Sequence, residues 1–318
     1  MFSKLDYVYE VYKTKSFTKA AENLFISQPS LSAAIKKLEA SLGAPLFERL
    51  GTGVFLTEIG KEYISSCEKI IEIRNEFTKR ISDIHNLETG KISVGGTNYL
   101  SSYLLPKIVK RFSELYPKIE VNLTEANSTT LSNMIKNDEL DIIIDSFDET
   151  LKEYDGEPLT SEKILLSVPK SYKINDSLSE FAISPEEIYE NPDVCEEKAP
   201  VSLKLFKNES FILLKHGNDM AHRASLFFNE AKISPDISFT VEQLNISYAL
   251  CASGMGVCFI TDTLFKYGKL FKDDVLLYNI DTAYPNRTLY VAYKKNKYVS
   301  RASKKFIELT KELIHDKM

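Results

Sequence analysis

A serine-capped helix close to the N-terminus, reached from a preceding short helix through a two-residue connection, constrains this chain more than any other feature. Leu5, Val8, Val11 and Tyr12 recur at helical spacing and predict an amphipathic helix over about Lys4 to Thr14. Ser16 offers an N-cap hydroxyl to a second helix, about Phe17 to Leu24, where Ala20 and Ala21 leave room for a close crossing. After Phe25-Ile26, Ser27 caps again, and Pro29 falls in the first turn, where its missing N–H costs nothing. Leu31, Ile35, Leu38 and Leu42 then form one apolar stripe, and Gly43 ends the helix where a left-handed residue is needed. Two short helices joined by a tight turn, the second polar on its outer face, describe a helix-turn-helix.

The outer face of the second helix suits a DNA groove. Pro29, Ser32, Ala33 and Lys36 point away from the stripe, with Lys37 at its flank. Short side chains come first and basic ones follow, as expected of a helix whose N-terminal end enters the major groove. Gln28 can offer its amide to adenine, Ser30 and Ser32 can bond a base edge or a phosphate, and Lys36 and Lys37 fit phosphates. Ser16, Thr18 and Ser27 complete the expected set. Leu46-Phe47-Glu48-Arg49 and Val54-Phe55-Leu56-Thr57, joined through Gly51 and Gly53, predict a hairpin wing whose Arg49 reaches phosphate or the minor groove.

A capped helical pair alone is a common structural unit. The string is more specific. Ser16-Phe17-Thr18-Lys19-Ala20-Ala21, Leu24, Ser27-Gln28-Pro29-Ser30-Leu31-Ser32, Ile35-Lys36-Lys37-Leu38-Glu39, Leu42-Gly43-Ala44-Pro45-Leu46-Phe47-Glu48-Arg49, Leu56-Thr57 and Gly60 follow in order without a gap. Together they closely resemble the signature of LysR-type transcription regulators. One position departs: the family usually carries a second basic residue three places after the wing arginine, and here Thr52 stands there.

Thr57 can cap a long helix over about Glu58 to Leu87. Tyr63, Ile70, Phe77 and Ile84 repeat every seven residues, with Ile73 and Leu87 between them and Ser66 and Arg80 interrupting, a weak coiled-coil seam. An ordinary helix packed on its own domain would show a similar pattern. The resemblance implies that this helix pairs two subunits, in a homodimer or homotetramer. The expected division is 1–57 for the winged helix-turn-helix, 58–87 for the linker helix and 88–318 for an effector domain.

Beyond Glu88-Thr89-Gly90, short apolar strands alternate with helices. Strands are expected at Ile92–Gly95, Ile119–Leu123, Leu140–Ile144, Ile164–Val168, Phe211–Leu214, Ile237–Val241, Gly256–Ile260 and Thr288–Tyr293. Helices are expected at Ser101–Leu115, Leu131–Lys136, Ala221–Ala231, Leu244–Ser253 and Ser300–Ile314. That order predicts two α/β lobes with largely parallel sheets, 88–161 with 263–318 and 162–262, crossing near Ser161 and Asp262. Gly90-Lys91-Ile92-Ser93-Val94-Gly95, Leu104-Leu105-Pro106, Tyr116-Pro117, Leu140-Asp141-Ile142, Val168-Pro169 and Ala252-Ser253-Gly254-Met255-Gly256-Val257 resemble the LysR-type effector domain, which has the periplasmic-binding-protein fold. The stretch 172–206 reads as an insertion without an assigned role. Ligands of such folds sit beyond the carboxyl ends of the strands. Thr97, Asn98, Tyr99, Asn127, Ser128 and Thr129 are the expected contacts from one lobe, and Lys215, His216, Asn218 and Thr261 from the other. Several precede helices, so an anionic small molecule is the expected guest.

Other classes are poorly served. The four histidines, His85, His216, His222 and His315, form no metal motif, and no GxSxG elbow, P-loop or dinucleotide fingerprint occurs. No catalysis, metal or cofactor is therefore expected. Cys67, Cys195, Cys251 and Cys258 read as free thiols. The first residues show no signal-peptide pattern, and no apolar run reaches the ~18 residues that span a bilayer, so a cytoplasmic protein is expected. A net charge of -5 is compatible with a small DNA-reading domain beside a larger acidic one. A solute-binding receptor with a non-functional DNA-binding region is the alternative. The expected partners are double-stranded promoter DNA, a small-molecule effector, further copies of the chain and RNA polymerase.

Overall fold

The computed structural model describes residues 4–50, 53–84, 90–146, 154–268 and 274–315. They fall into two compact units, 1–81 and 82–318. In the first, α1 (Leu5–Thr14), α2 (Phe17–Asn23) and α3 (Gln28–Leu42) precede the antiparallel hairpin β1 (Phe47–Leu50) and β2 (Gly53–Leu56), and α4 (Glu58–Ile84) follows. The caps are local chemistry. Ser16 Oγ accepts from Lys19 N at 3.3 Å, Ser27 Oγ from Ser30 N at 3.3 Å, and Thr57 Oγ1 from Gly60 N at 2.9 Å. Gly43 leaves α3 at φ 74°, where a side chain would be strained. Leu5, Val8, Val11, Ala20, Ala21, Leu31, Ile35, Leu38 and Leu46 form the core, closed by Tyr63, Ile64 and Cys67 of α4.

The second unit runs β3 (Gly90–Gly96), α5 (Asn98–Tyr103), α6 (Leu105–Leu115), β4 (Ile119–Glu125), α7 (Ser128–Lys136), β5 (Ile142–Ser146) and the sixteen-residue strand β6 (Tyr154–Pro169). Short helical turns follow, among them α8 (Ile174–Ser177), α9 (Pro185–Glu190) and α10 (Val194–Glu197). The chain continues with β7 (Ser210–Leu214), α11 (Asp219–Ala231), β8 (Asp236–Val241), α12 (Leu244–Ala252), β9 (Val257–Thr261), α13 (Thr263–Gly268), β10 (Val275–Asn279), β11 (Asn286–Lys294) and α14 (Arg301–His315). One lobe has the strand order β4-β3-β5-β11-β6 and the other β10-β6-β9-β7-β8, with β6 passing through both.

Several expectations are corrected. The sheets are mixed: β4-β3-β5 and β9-β7-β8 are parallel blocks, but β11, β6 and β10 join them antiparallel. The helix expected over Ser101–Leu115 is two, α5 and α6, because Leu104 interrupts and Pro106 restarts the turn. The return between lobes does not lie near Asp262. β10 still pairs with Leu165–Pro169, so the crossing falls after Asn279. Residues 172–206, read as an insertion, contribute to the core: Ile183, Ile188, Val201, Leu203 and Phe206 are buried, and isolated bridges tie Ile183 to Leu277 and Val201 to Ile280. In α4, Tyr63 serves the core of its own unit, while the exposed apolar row is Ile73, Phe77 and Ile81, at 69%, 63% and 42% exposure. The Ile84 side chain and Leu87 lie outside the described residues.

Candidate functional site

α3 presents two chemically distinct sides. Leu31 and Ile35 are fully buried, while Pro29, Ser30, Ala33, Lys36 and Lys37 are exposed and Gln28 and Ser32 are half-exposed. Thr18 on α2 lies open as well. The expected contacts therefore occupy the solvent side, with two qualifications. The Ser16 hydroxyl is engaged as a cap, and the Ser27 and Ser30 hydroxyls are 2.7 Å apart, so Ser27 shapes the helix start. Lys36 and Lys37 stand in no ion pair among the described residues. Phe25, read only as part of a connection, is 94% exposed at φ 55°, an unusual conformation for a bulky residue, on the turn before α3. Glu39 has a role that the sequence did not reveal: its Oε1 accepts from Leu46 N at 2.8 Å and Phe47 N at 3.3 Å and anchors the start of the wing. Arg49 sits on β1 opposite Val54, and its side chain lies outside the described residues, as does Thr52.

In the second unit, loops from both lobes meet around a cavity of about 40 Å³. Thr97, Asn98, Tyr99, Ser128 and Asn218 line it. Asn127 and Thr129 act at its margin by joining the lobes. Asn127 Nδ2 donates to Glu242 Oε1 at 3.3 Å, and Thr129 N donates to Gly217 O at 3.1 Å. Three expected contacts do not line this cavity. Lys215 is exposed and faces Glu242 at 3.6 Å, His216 is exposed and absent from the wall, and Thr261 is fully buried with its hydroxyl 3.1 Å from that of Thr263.

The charged wall was not foreseen. Asp145, Asp219, Glu242 and Arg287 line the cavity and come from distant parts of the chain. Arg287 donates to Glu162 Oε2 at 2.6 Å and to Asp219 Oδ2 at 2.9 Å, and Arg223 donates to the same Asp219 oxygen at 2.9 Å. Burial opposes the Arg287 charge, but Glu162 and Asp219 outweigh it and hold its pKa up. Arg223 is lowered to about 10 by burial and by neighbouring Arg287. Burial raises Glu162 against the pull of Arg287. Asp145, 2% exposed, is raised to about 6, chiefly by burial. Its Oδ1 accepts from Ser146 N at 2.8 Å, while its Oδ2 is buried without a hydrogen-bond partner.

At the start of α7, Thr129 N donates to Gly217 O and Thr130 N to Asn127 Oδ1, while no side-chain cap hydrogen bond closes the N-termini of α5, α11 and α12 beside the cavity. Both guanidinium groups are committed to carboxylates. Among the described residues, no cluster of three His, Cys, Asp or Glu could hold a metal, all four cysteines are free and buried, and no helix is long and apolar enough to cross a membrane.

Comparison with known proteins accounts for both regions. Residues 2–61 match the family described as bacterial regulatory helix-turn-helix protein, lysR family, and residues 85–314 match the LysR substrate binding domain. The HTH-type transcriptional regulator YcgK of Bacillus subtilis (strain 168) is 32% identical over 308 residues, covering 97% of this chain and 93% of that protein. A full-length OxyR variant from Pseudomonas aeruginosa matches with a TM-score of 0.65 at 22% identity, covering 98% of this chain and 97% of its own. Full-length CbnR in complex with its target DNA matches with a TM-score of 0.61 at 18% identity, covering 100% of both chains. At such identities these two structures speak for the fold. The chain belongs to the LysR family of helix-turn-helix transcriptional regulators.

Proposed function

We propose that the protein is a ligand-responsive regulator that reads an operator with α3 and senses a small molecule between the lobes of residues 82–318. The observation that carries the reading is the division of α3 into a buried aliphatic side and an open side bearing Gln28, Ser30, Ser32, Lys36 and Lys37. Gln28 reads a base edge, Ser30 and Ser32 bond bases or phosphate, and Lys36, Lys37 and Arg49 hold phosphates. CbnR, of like fold, is known bound to its target DNA. Two copies pair through the exposed Ile73, Phe77 and Ile81 row of α4, giving a dimer, or a tetramer of such pairs, that spans two or more half-sites. The protein works in the cytoplasm, and its output is contact with RNA polymerase rather than a chemical reaction.

The lobes are bridged by the Asn127–Glu242 and Thr129–Gly217 hydrogen bonds. The cavity of about 40 Å³ takes a group of a few atoms, and a ligand that contacts both lobes biases the angle between them. Sensing is then a population shift, bounded by the ligand's differential affinity for the two arrangements. Binding to DNA from upstream of the gene, measured over a salt series, tests the assignment. Gln28→Ala should relax base preference, and Lys36→Ala should weaken specific and random DNA alike and flatten the salt dependence. Equal loss of preference in both would contradict these roles.

A further inference from the structure

The cavity presents hydrogen-bond acceptors in need of a donor. Asp145 Oδ2, Asn98 Oδ1 and the Tyr99 hydroxyl are all buried and all lack a hydrogen-bond partner. All three residues line the same cavity, and Asp145 and Tyr99 are only 2% and 3% exposed. Two of these atoms are pure acceptors, and the third can accept. An unmatched buried polar atom is destabilising, so three in one cavity mark a place for a complementary group.

The charges agree with the acceptors. Glu162 and Asp219 are taken up by Arg287 and Arg223, and Glu242 by Lys215 and Asn127. Asp145 is the acidic residue of the wall whose oxygen stays unmatched among the described residues. A carboxylate ligand would meet Asp145 with no uncommitted cation among the described residues of the wall. An ammonium group carries the missing positive charge and up to three donors.

We infer that the cleft binds its effector by a protonated primary amine, seated between Asp145, Asn98 and Tyr99. This rests on the cleft being the sensing site. The cavity's volume matches such a head group. The remainder of the ligand has somewhere to go: an adjoining groove of about 1080 Å³ shares Ser128, Asn218 and Asp219 with the cavity and runs past Asn133, Lys136 and Tyr284. The ligand class is therefore a small amine with a polar tail.

The test is the thermal midpoint of the full-length protein at pH 7.5 with 1,4-diaminobutane, 1,4-butanediol or hexanedioate. The diamine should raise the midpoint, and the diol and diacid should leave it unchanged. Asp145→Asn should raise the half-saturating diamine concentration at least about tenfold, the equivalent of one lost charge-assisted contact, and Asn98→Ala should raise it by a smaller factor. Thr97→Arg, which fills the cleft, should abolish the shift. Stabilisation by hexanedioate that Thr97→Arg removes would overturn the amine inference and leave the cleft as the sensing site. A diamine shift that survives Thr97→Arg would overturn both. Absence of any diamine shift overturns the amine inference alone.

Discussion

Asp145 should trade stability for readiness to bind, and the cost can be worked out. In the unfolded chain its carboxyl titrates near ~3.9. In the folded protein it is raised to about 6, because burial penalises the carboxylate more than the nearby Ser128 side chain, the Ser146 N–H and Arg287 relieve it, with Asp219 adding repulsion. Between those values the native state holds the extra proton. The contribution of the protonated form is complete below the unfolded pKa and is lost as pH rises through the folded one. A gap of about two pH units corresponds to about 3 kcal/mol at pH 7.5. Asp145→Asn keeps the shape and never ionises. It should therefore match the parent near pH 4 and exceed it by about 3 kcal/mol at pH 7.5, with the gain appearing across pH 4–6. The chain has 17 tyrosines and no tryptophan, so urea unfolding is best followed by far-ultraviolet circular dichroism. A difference that does not change with pH, or a variant weaker than the parent at pH 7.5, would refute the reasoning.

Two further outcomes follow from the first unit. A Cβ at Gly60 would lie 2.1 Å from Leu46 O, a backbone atom that cannot give way, so Gly60→Ala should destabilise 1–81 by about 1–3 kcal/mol or more and weaken DNA binding with it. Denaturation midpoints of the variant check this, and an unchanged midpoint would contradict the described contact between α4 and the wing. Phe77→Glu, at a position 63% exposed on α4, should leave secondary structure intact and shift sedimentation toward the monomer; an unaltered sedimentation coefficient would remove α4 from the interface.

What the sequence made legible was local. Ser16, Ser27 and Thr57 cap because a hydroxyl before a helix meets unpaired N–H groups wherever the rest of the chain goes. Leu31 and Ile35 face inward because their spacing leaves no other choice. The α4 row was harder to read, since an apolar residue every three or four positions serves a domain core and a subunit seam alike. Tyr63 proved to serve the first, while Ile73 and Phe77 remain uncovered. β10 was missed because its strand signal follows a helix and gives no sign of which sheet it joins. The cleft shows the limit most clearly. Thr97, Asn98 and Ser128 could be picked out from their place after strands, but Asp145, Asp219 and Arg287 meet only through the fold. No local pattern marks a carboxylate as the one left unmatched. That Lys215 faces Glu242 is likewise set by the fold, as the two lie on different loops.

The central claim is that the open side of α3 reads DNA sequence. Its most direct test is the affinity of the full-length protein, at fixed salt, for DNA from upstream of its own gene and for a scrambled duplex of equal length. The account predicts a preference of about a thousandfold or more for the upstream DNA, much reduced by Gln28→Ala. Equal affinity for the two duplexes, unchanged by that substitution, would contradict it.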